Sequence, residues 1–498
     1  MTRWWALSRG DLDTTIAQLG FNLAQMVIPV FLLLSVGISA GFSVTHLLPG
    51  YALGFLAGSL GLVSLAARLA NREKRADVTA HVYGNNVPAI IAYTLSIMLP
   101  VYLETHDANR AWSIGAAAVV WTGIIKLAAA PFAGVFRRFI PAPAAMTVFG
   151  AAMYSYLALV LLQRVFDQPL VGLIALAIIF TSVLANIPIT RWRIPPFIAA
   201  WIVPLSVALL IGYVRPNWSG LSFQLPFAAV REPWRAMTLA LPYLSVIAPI
   251  AIYQVLQDIA SVAGAAAAGD DYDVRAVLAC DGLGTLVCGL AGSVIAPVIY
   301  AMHPPYKAVG ARISFAFWTP VLFLAIVMSG LTIFVAQLFP WPILAAIIAY
   351  VSIGVGMATL RRVDPKYLGA VLLGFVLPAG AVVATAVNSA LPALRLSAAN
   401  AVVQSELNRS IYWSSVLGLG NGFLFLVLVV ASLIAELIDR RFARAAGWCI
   451  VASAFSWFGF MHSALMRWGA QPDYALGWLA AAVIVYSARW WRGDAVNS

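Results

Sequence analysis

The sequence predicts an all-α membrane protein that crosses the bilayer many times, with two inverted repeats of seven spans each and two extra C-terminal spans. Three observations lead to this prediction. Of 498 residues, 62% are hydrophobic and only 10% are charged, against roughly 25% charged in an ordinary soluble domain. Apolar runs long enough to cross a hydrocarbon core as helices recur along the chain. The polar segment 215–237 divides these runs into two sets of seven.

The apolar runs give the boundaries of the predicted spans. The first seven are 21–41, 48–69, 84–102, 111–131, 141–162, 169–188 and 195–214. The next seven are 238–262, 276–293, 294–313, 314–338, 340–360, 367–389 and 415–438. Two further apolar segments cover 446–466 and 475–490, so that the extra region is 446–490. Residues 1–20 contain no continuous apolar stretch and are predicted to be a cytoplasmic leader.

The basic residues predict the topology. The net charge is +11, and 21 of the 30 Lys and Arg residues fall at the two termini and in alternate loops. Eight fall in the opposite loops, and Lys126 lies inside the fourth span. Cytoplasmic loops carry the excess of Lys and Arg, so both termini are predicted to be cytoplasmic, in a bacterial inner (plasma) membrane. Because the charges flank spans, their partner is the lipid bilayer and not nucleic acid.

Cysteine and histidine give no sign of a metal site or an enzyme. The three cysteines, Cys280, Cys288 and Cys449, lie in apolar spans without CxxC spacing. The five histidines are scattered and form no HExxH arrangement. We therefore expect no metal and no catalytic residues.

Two spans at corresponding places in the halves are predicted to be broken. The third begins "VTAHVYGNNVPAIIAY" (78–93) and the tenth reads "SVIAPVIYAMHPPYKAVGARI" (293–313). Each combines a β-favouring stretch, 78–83 or 294–300, with Pro residues that break a helix interior. The pattern predicts a short strand followed by a half-helix in both, and inverted repeats of this kind are typical of transporters with a mid-membrane site. Two Pro-kinked helices without a ligand are the alternative.

The eighth span carries polar residues that an apolar helix does not need. In "LPYLSVIAPIAIYQVLQDIASVAG" (241–264), Gln257 and Ser261 share one stripe at helical spacing, and Asp258 and Ser261 share the adjoining one. Asp258 and Asp281 are the only acidic residues well inside a span, so both are functional candidates. Gly282, Gly284, Gly289 and Gly292 of the next span predict close helix packing. The alternative is a structural polar pair that locks the helices together.

These residues resemble the xanthine/uracil permease family, the nucleobase–cation symporters. The similar stretch is "LQDIASVAGAAAAGDDYDVRAVLACDGLGTLVCGLAGSVIAPVIYAMHPPYKAVGAR" (256–312), and it is most similar to the hypoxanthine/adenine/guanine permease branch. "CDGLGT" (280–285) matches that branch's "ADALGT", Tyr300 ends the strand, and Gly310 and Arg312 match a spaced Gly…Arg. In the first half, "FIPAPAAMTVFGAAMY" (139–154) resembles the family's fifth span.

The resemblance implies a domain organisation and a site. It implies a core domain of 21–131 and 238–338, and a gate domain of 141–214 and 340–438 that forms a homodimer. It also implies elevator-like alternating access with H⁺ or Na⁺ as the coupling ion. Its expected solute-binding residues are Asn85, Asn86, Gln257, Asp258, Ser261, Tyr300, Met302 and His303, with Asp258 and Asp281 as ion-coupling candidates. Gln257 and Met302 stand where the family has acids.

The leading functional hypothesis is secondary transport of a nucleobase or a similar heterocycle, such as a purine. A Gln amide offers both a donor and an acceptor to a nucleobase edge. An anion transporter of the same fold, of the sulfate or carboxylate type, is the alternative, because two converging helix N-termini near Lys307 and Arg312 suit an anion. A channel is a third possibility, and saturable, gradient-driven accumulation distinguishes a transporter from it.

The topology can be tested with a cysteine introduced at Ser219, in the segment 215–237 predicted to be external. In a background without native cysteines, Ser219→Cys should react with a membrane-impermeant maleimide in intact cells. Asn71→Cys, in a loop predicted to be cytoplasmic, is the control and should react only after lysis. Labelling of the Ser219 variant only after lysis would reverse the predicted orientation.

Overall fold

Helices account for most of the residues that the computed structural model describes, and two short strands interrupt them. The described residues are 7–34, 37–134, 139–185, 187, 196–216, 230–300, 302–308, 310–338, 340–393, 396 and 400–490. Residues 1–6 of the predicted leader and 217–229 of the predicted external loop, Ser219 among them, lie outside the described residues.

The described residues of the first half of the chain form nine α-helices and one strand. They are α1 Arg9–Leu34, α2 Ala40–Glu73, β1 Val82–Asn85, α3 Val87–Tyr93, α4 Leu99–Thr105, α5 Ala108–Ala129, α6 Ala142–Gly150, α7 Leu159–Val165, α8 Pro169–Ile179 and α9 Pro196–Leu210. Single π-helical segments join α3 to α4 (Thr94–Met98) and α6 to α7 (Ala151–Ala158), and another follows α8 (Phe180–Leu184).

The described residues of the second half form fourteen α-helices and one strand. They are α10 Arg231–Arg235, α11 Leu244–Ala267, α12 Val274–Leu290, β2 Pro297–Tyr300, α13 His303–Ala308, α14 Ser314–Met328, α15 Leu331–Gln337, α16 Trp341–Arg362, α17 Leu368–Val376, α18 Ala379–Ala393, α19 Ala401–Ile411, α20 Trp413–Gly420, α21 Phe423–Ile438, α22 Phe442–Phe458 and α23 Pro472–Ser487. Short 3₁₀ turns cover Ala130–Phe132, Leu241–Tyr243, Pro365–Tyr367 and Ala488–Trp490.

The first helix begins earlier than the sequence predicts. It starts at Arg9, inside the segment 1–20 predicted as a leader, and ends at Leu34. Hydropathy predicts a loop for its polar residues, but Asp11 and Gln18 are buried and hydrogen-bonded within the protein. Asp11 accepts a hydrogen bond from the Arg312 backbone N–H at 2.7 Å, so its carboxylate needs no water.

The two predicted strands are confirmed, with shifted bounds. The extended backbone covers Val82–Asn85 and Pro297–Tyr300 rather than 78–83 and 294–300. A helix follows each strand within a few residues, as a broken third and tenth span require.

Two further predicted spans of the second half are broken as well. The span 314–338 is split at Gly330, which has a φ of +74°. The span 367–389 contains a turn next to Pro378, but Pro365–Asn388 is still one helix long and apolar enough to cross a membrane. The span 415–438 is split at Gly422, whose φ is +70°. Helices α20 and α21 meet there at a bend of 73°. Positive φ suits glycine and ends a helix, a feature that hydropathy does not register.

Eight helices in the described part of the chain are long and apolar enough to cross a membrane, or nine if the bent α20–α21 pair is one span. The sequence predicts fourteen spans and two further segments. Three of the remaining spans form shorter apolar helices in the described residues, Pro169–Ser182, Ala199–Leu210 and Ser314–Met328. The two extra C-terminal segments form α22 and α23, of 17 and 16 residues, which pack against each other. That these two helices cross the bilayer stays a prediction.

The chain folds into two compact units. The first contains Met1–Ala133, Val160–Leu241 and Gln254–Val351, and the second contains Gly134–Leu159, Pro242–Tyr253 and Ser352–Ser498. Segment 160–241, which the sequence analysis assigned largely to the gate domain, packs with the predicted core. The functional division into core and gate domains stays a prediction.

Close packing of α12 against α2 and α5 organises the first unit, and it depends on the predicted glycines. A Cβ at Gly289 would lie 2.5 Å from the Val120 backbone nitrogen of α5. A Cβ at Gly284 would lie 2.5 Å from the hydroxyl of Tyr83, a residue of β1. The close approach predicted for these glycines is therefore confirmed, and it brings α12 next to the strands.

Gly289→Ala should destabilise the protein, because its methyl group would meet helix backbone that cannot rotate away. Overpacking of this kind costs about 1–3 kcal/mol. The matched control is Gly447→Ala in α22, where a Cβ meets no atom within 4 Å. That change should be neutral or stabilising, because Ala is the better helix former. Thermal unfolding of the detergent-solubilised variants measures both, and equal midpoints would contradict the packing argument.

Candidate functional site

Two short antiparallel strands meet in the interior of the first unit. Val82 of β1 pairs with Tyr300 of β2, and Asn85 pairs with Pro297. Both strands are buried, apart from the partly accessible Tyr300. Backbone N–H and C=O groups without a helix ladder need partners inside a membrane protein, and the strands supply part of them to each other.

The two asparagines at the end of β1, Asn85 in the strand and Asn86 after it, have different contacts. The Asn86 Oδ1 accepts a hydrogen bond from the Ala89 N–H at 2.9 Å and caps α3, with Pro88 in its first turn. Asn85 contacts α1 instead, where its Nδ2 donates to the Asn22 carbonyl at 3.1 Å. Both predicted site residues are buried at the strand, and the Asn85 Oδ1 makes no hydrogen bond among the described residues.

The polar face of α11 holds β2 in place at one residue, Ile299. The Gln257 Nε2 and the Ser261 hydroxyl each donate to the Ile299 carbonyl at 3.2 Å. The Asp258 Oδ1 accepts from the Ile299 N–H at 3.1 Å. Side chains that the sequence assigned to solute binding therefore satisfy the outer edge of the strand.

Several polar atoms on this face remain without a partner. Among the described residues, the Gln257 Oε1 and both amide atoms of Gln254 are buried and make no hydrogen bond. A buried polar group left unpaired costs about 1–3 kcal/mol. Such a cost is compensated when water or a polar ligand binds, so the solute-binding role of this face stays a prediction that these atoms support.

Three predicted residues at the end of β2 separate from one another. The Tyr300 hydroxyl donates to the Asn85 carbonyl at 2.6 Å and so joins the two strands. The Met302 side chain is 40% exposed. His303 is fully buried and turns away from the α11 face, with its Nε2 3.0 Å from the Thr79 carbonyl.

His303 belongs to an ionic cluster around Asp270, in the loop between α11 and α12. The Asp270 carboxylate lies 3.2 Å from the His303 Nε2, and it accepts hydrogen bonds from Lys307 at 2.5 Å and Arg75 at 3.1 Å. Burial by itself would raise the pKa of Asp270, but hydrogen bonds from His303, Lys307 and the Thr79 N–H hold it at about 2. Lys307 therefore stays paired at neutral pH and is no free cation for an anionic solute.

The fifth helix contributes a residue that the sequence analysis left unassigned. Lys126 is fully buried, with its Nζ 2.7 Å from the Asp281 Oδ2. It also donates to the Pro297 carbonyl at 2.8 Å and to the Thr285 hydroxyl at 3.1 Å. The Asp258 carboxyl lies beside that of Asp281, within hydrogen-bonding reach. The sequence did contain a signal for this role, a single Lys in an apolar span, because a charged side chain there needs a buried partner.

No protein-family model and no curated protein matches this chain. Solved structures do. The transmembrane domain of a cyanobacterial bicarbonate transporter, BicA, is similar over 77% of this chain and 97% of that one, with a TM-score of 0.52 and 13% identity. The structure of SLC26A9 is similar over 96% of this chain, with a TM-score of 0.52 and 14% identity; this chain covers 65% of its length.

These similarities establish the fold. The chain is an integral, multi-pass membrane protein with the seven-plus-seven inverted-repeat fold, as the sequence predicted. The xanthine/uracil permease assignment, the homodimer, the bacterial origin and the orientation of the termini stay predictions.

Proposed function

We propose that this protein is a secondary transporter of a small anion, with bicarbonate as the first candidate. The observation that carries the proposal is the antiparallel pair of strands, each leading into a helix start, beside a buried face with unpartnered polar atoms. In inverted-repeat transporters, discontinuous helices of this kind form the substrate site, and their N-termini face anionic groups. The similarity of the fold to a bicarbonate transporter supports an anion over other solutes.

The buried charges of the first unit support coupling to protons. Two carboxyls, Asp258 and Asp281, accompany one ammonium, that of Lys126. With both carboxyls ionised the cluster carries one excess negative charge, which repels an anion at the neighbouring strands. One proton on the carboxyl pair makes the cluster neutral. Proton and anion binding therefore favour each other, and linkage makes this coupling reciprocal.

A heterocycle such as a nucleobase is the second candidate, and Gln257 is the observation that favours it. One N–H of its amide holds the Ile299 carbonyl, while its Oε1 is free of partners among the described residues. The amide therefore keeps one donor and one acceptor for a nucleobase edge. The resemblance of residues 256–312 to purine permeases points in the same direction.

Uptake into proteoliposomes containing the purified protein distinguishes these candidates. Labelled bicarbonate, formate, sulfate, hypoxanthine and uracil are offered with and without an inward proton gradient. We expect saturable, gradient-driven accumulation of one or more anions that excess heterocycle does not inhibit. Accumulation of a heterocycle alone would establish the second candidate, and non-saturable flux without accumulation would indicate a channel.

Asp258→Asn should uncouple transport from protons, because the variant keeps a neutral side chain that cannot load or release one. We expect proton-driven accumulation to fall at least about tenfold, the factor by which one pH unit changes a protonation equilibrium. Exchange of labelled for unlabelled solute should persist, since it needs no net proton movement. Asp271→Asn, in the exposed loop after α11, is the matched control and should behave as wild type. A pH-dependent accumulation by Asp258→Asn equal to wild type would refute the role of this carboxyl.

A further inference from the structure

We infer that the Lys126 ammonium is a built-in cation that fills a monovalent-cation site beside β2, so that transport by this protein is not coupled to Na⁺. The statement about transport rests on the proposed function. The cation site itself is defined by contacts within the first unit. Lys126 enters from α5, Asp281 and Thr285 lie one turn apart on α12, and Pro297 belongs to β2.

Three oxygens surround the Lys126 Nζ, as many as an ammonium has N–H donors. The Nζ donates to the Pro297 carbonyl at 2.8 Å and to the Thr285 hydroxyl at 3.1 Å. It also forms an ion pair with the Asp281 Oδ2 at 2.7 Å. The Thr285 hydroxyl lies 3.4 Å from the Asp281 Oδ1, to which it donates. The fully buried ammonium therefore has two hydrogen-bond acceptors and a counter-charge within the protein.

The same three oxygens are the ligands that a small metal cation takes in a transporter. Carbonyls of unwound backbone at a broken helix, joined by side-chain oxygens, coordinate Na⁺ in inverted-repeat transporters. Here the carbonyl belongs to the strand that breaks the tenth span, and the carboxylate supplies the compensating charge. A mobile ion in this position could leave with the solute. The Lys126 ammonium cannot, because the chain tethers it.

A purely structural ion pair and a tethered cation have different consequences when Lys126 is truncated. In both cases removal of the ammonium leaves the Asp281 carboxylate buried without its counter-charge, which destabilises the protein. If the oxygens form a cation site, Na⁺ should enter the vacated space and restore part of the stability. A structural pair predicts no such rescue.

The test compares thermal unfolding of the purified, detergent-solubilised chain in NaCl and in choline chloride of equal ionic strength. Wild-type protein should unfold at the same temperature in both salts. Lys126→Ala should be stabilised by Na⁺ with a saturable midpoint shift of at least about 3 °C. Lys126→Ala combined with Asp281→Asn should lose this shift, because the carboxylate ligand is gone. Lys366→Ala, which removes an exposed Lys from its Asp439 partner, should show none.

Two unfolding results would overturn the inference: a saturable, Na⁺-specific stabilisation of wild type, or a folded Lys126→Ala protein whose unfolding midpoint does not change with Na⁺. If Lys126→Ala cannot be purified in folded form, the wild-type comparison still decides, together with uptake measured in Na⁺ and in choline. Na⁺-dependent wild-type uptake would refute the inference and leave the proposed function intact. If no solute is transported, the unfolding measurements still decide on the cation site.

Discussion

Backbone groups of the two short strands have no helix ladder and little access to water, so the protein must supply their partners itself. Much of the described first unit serves this requirement. The strands pair with each other, α11 binds both backbone groups of Ile299 through Gln257 and Asp258, and Lys126 binds the Pro297 carbonyl. Glycines on α12 bring the helix close enough for its side chains to reach the strands.

This arrangement joins structure and charge in one place. Asp258 fixes a strand with one carboxyl oxygen and lies next to Asp281, which is paired with Lys126. A change in the protonation of Asp258 therefore acts directly on the backbone of the broken span, and one at Asp281 acts through Lys126. The proposed proton coupling needs no long-range pathway, because the titrating groups and the strand are in contact.

The cations near the tenth span divide into two sets with different roles. Lys307 and Arg75 are held by Asp270 in a loop cluster, whose low pKa keeps these pairs intact at neutral pH. Lys126 is buried among oxygens beside β2. Charge close to the candidate site therefore comes from a residue in the first half of the chain, and not from the tenth span itself.

The membrane class, the inverted repeat and the two broken spans could be predicted from the sequence, because hydropathy, span length and Pro or Gly positions are local properties. The sequence also marked Gln257, Asp258 and Asp281 as polar residues that an apolar span does not need. What these side chains contact depends on the tertiary structure. Ile299 lies far along the chain from Gln257 and Asp258, and Lys126 lies far from Asp281. In the same way, the Asp270 cluster lies far from His303. Which polar atoms are satisfied by the protein and which remain for a ligand depends on those long-range contacts, and no local pattern encodes them.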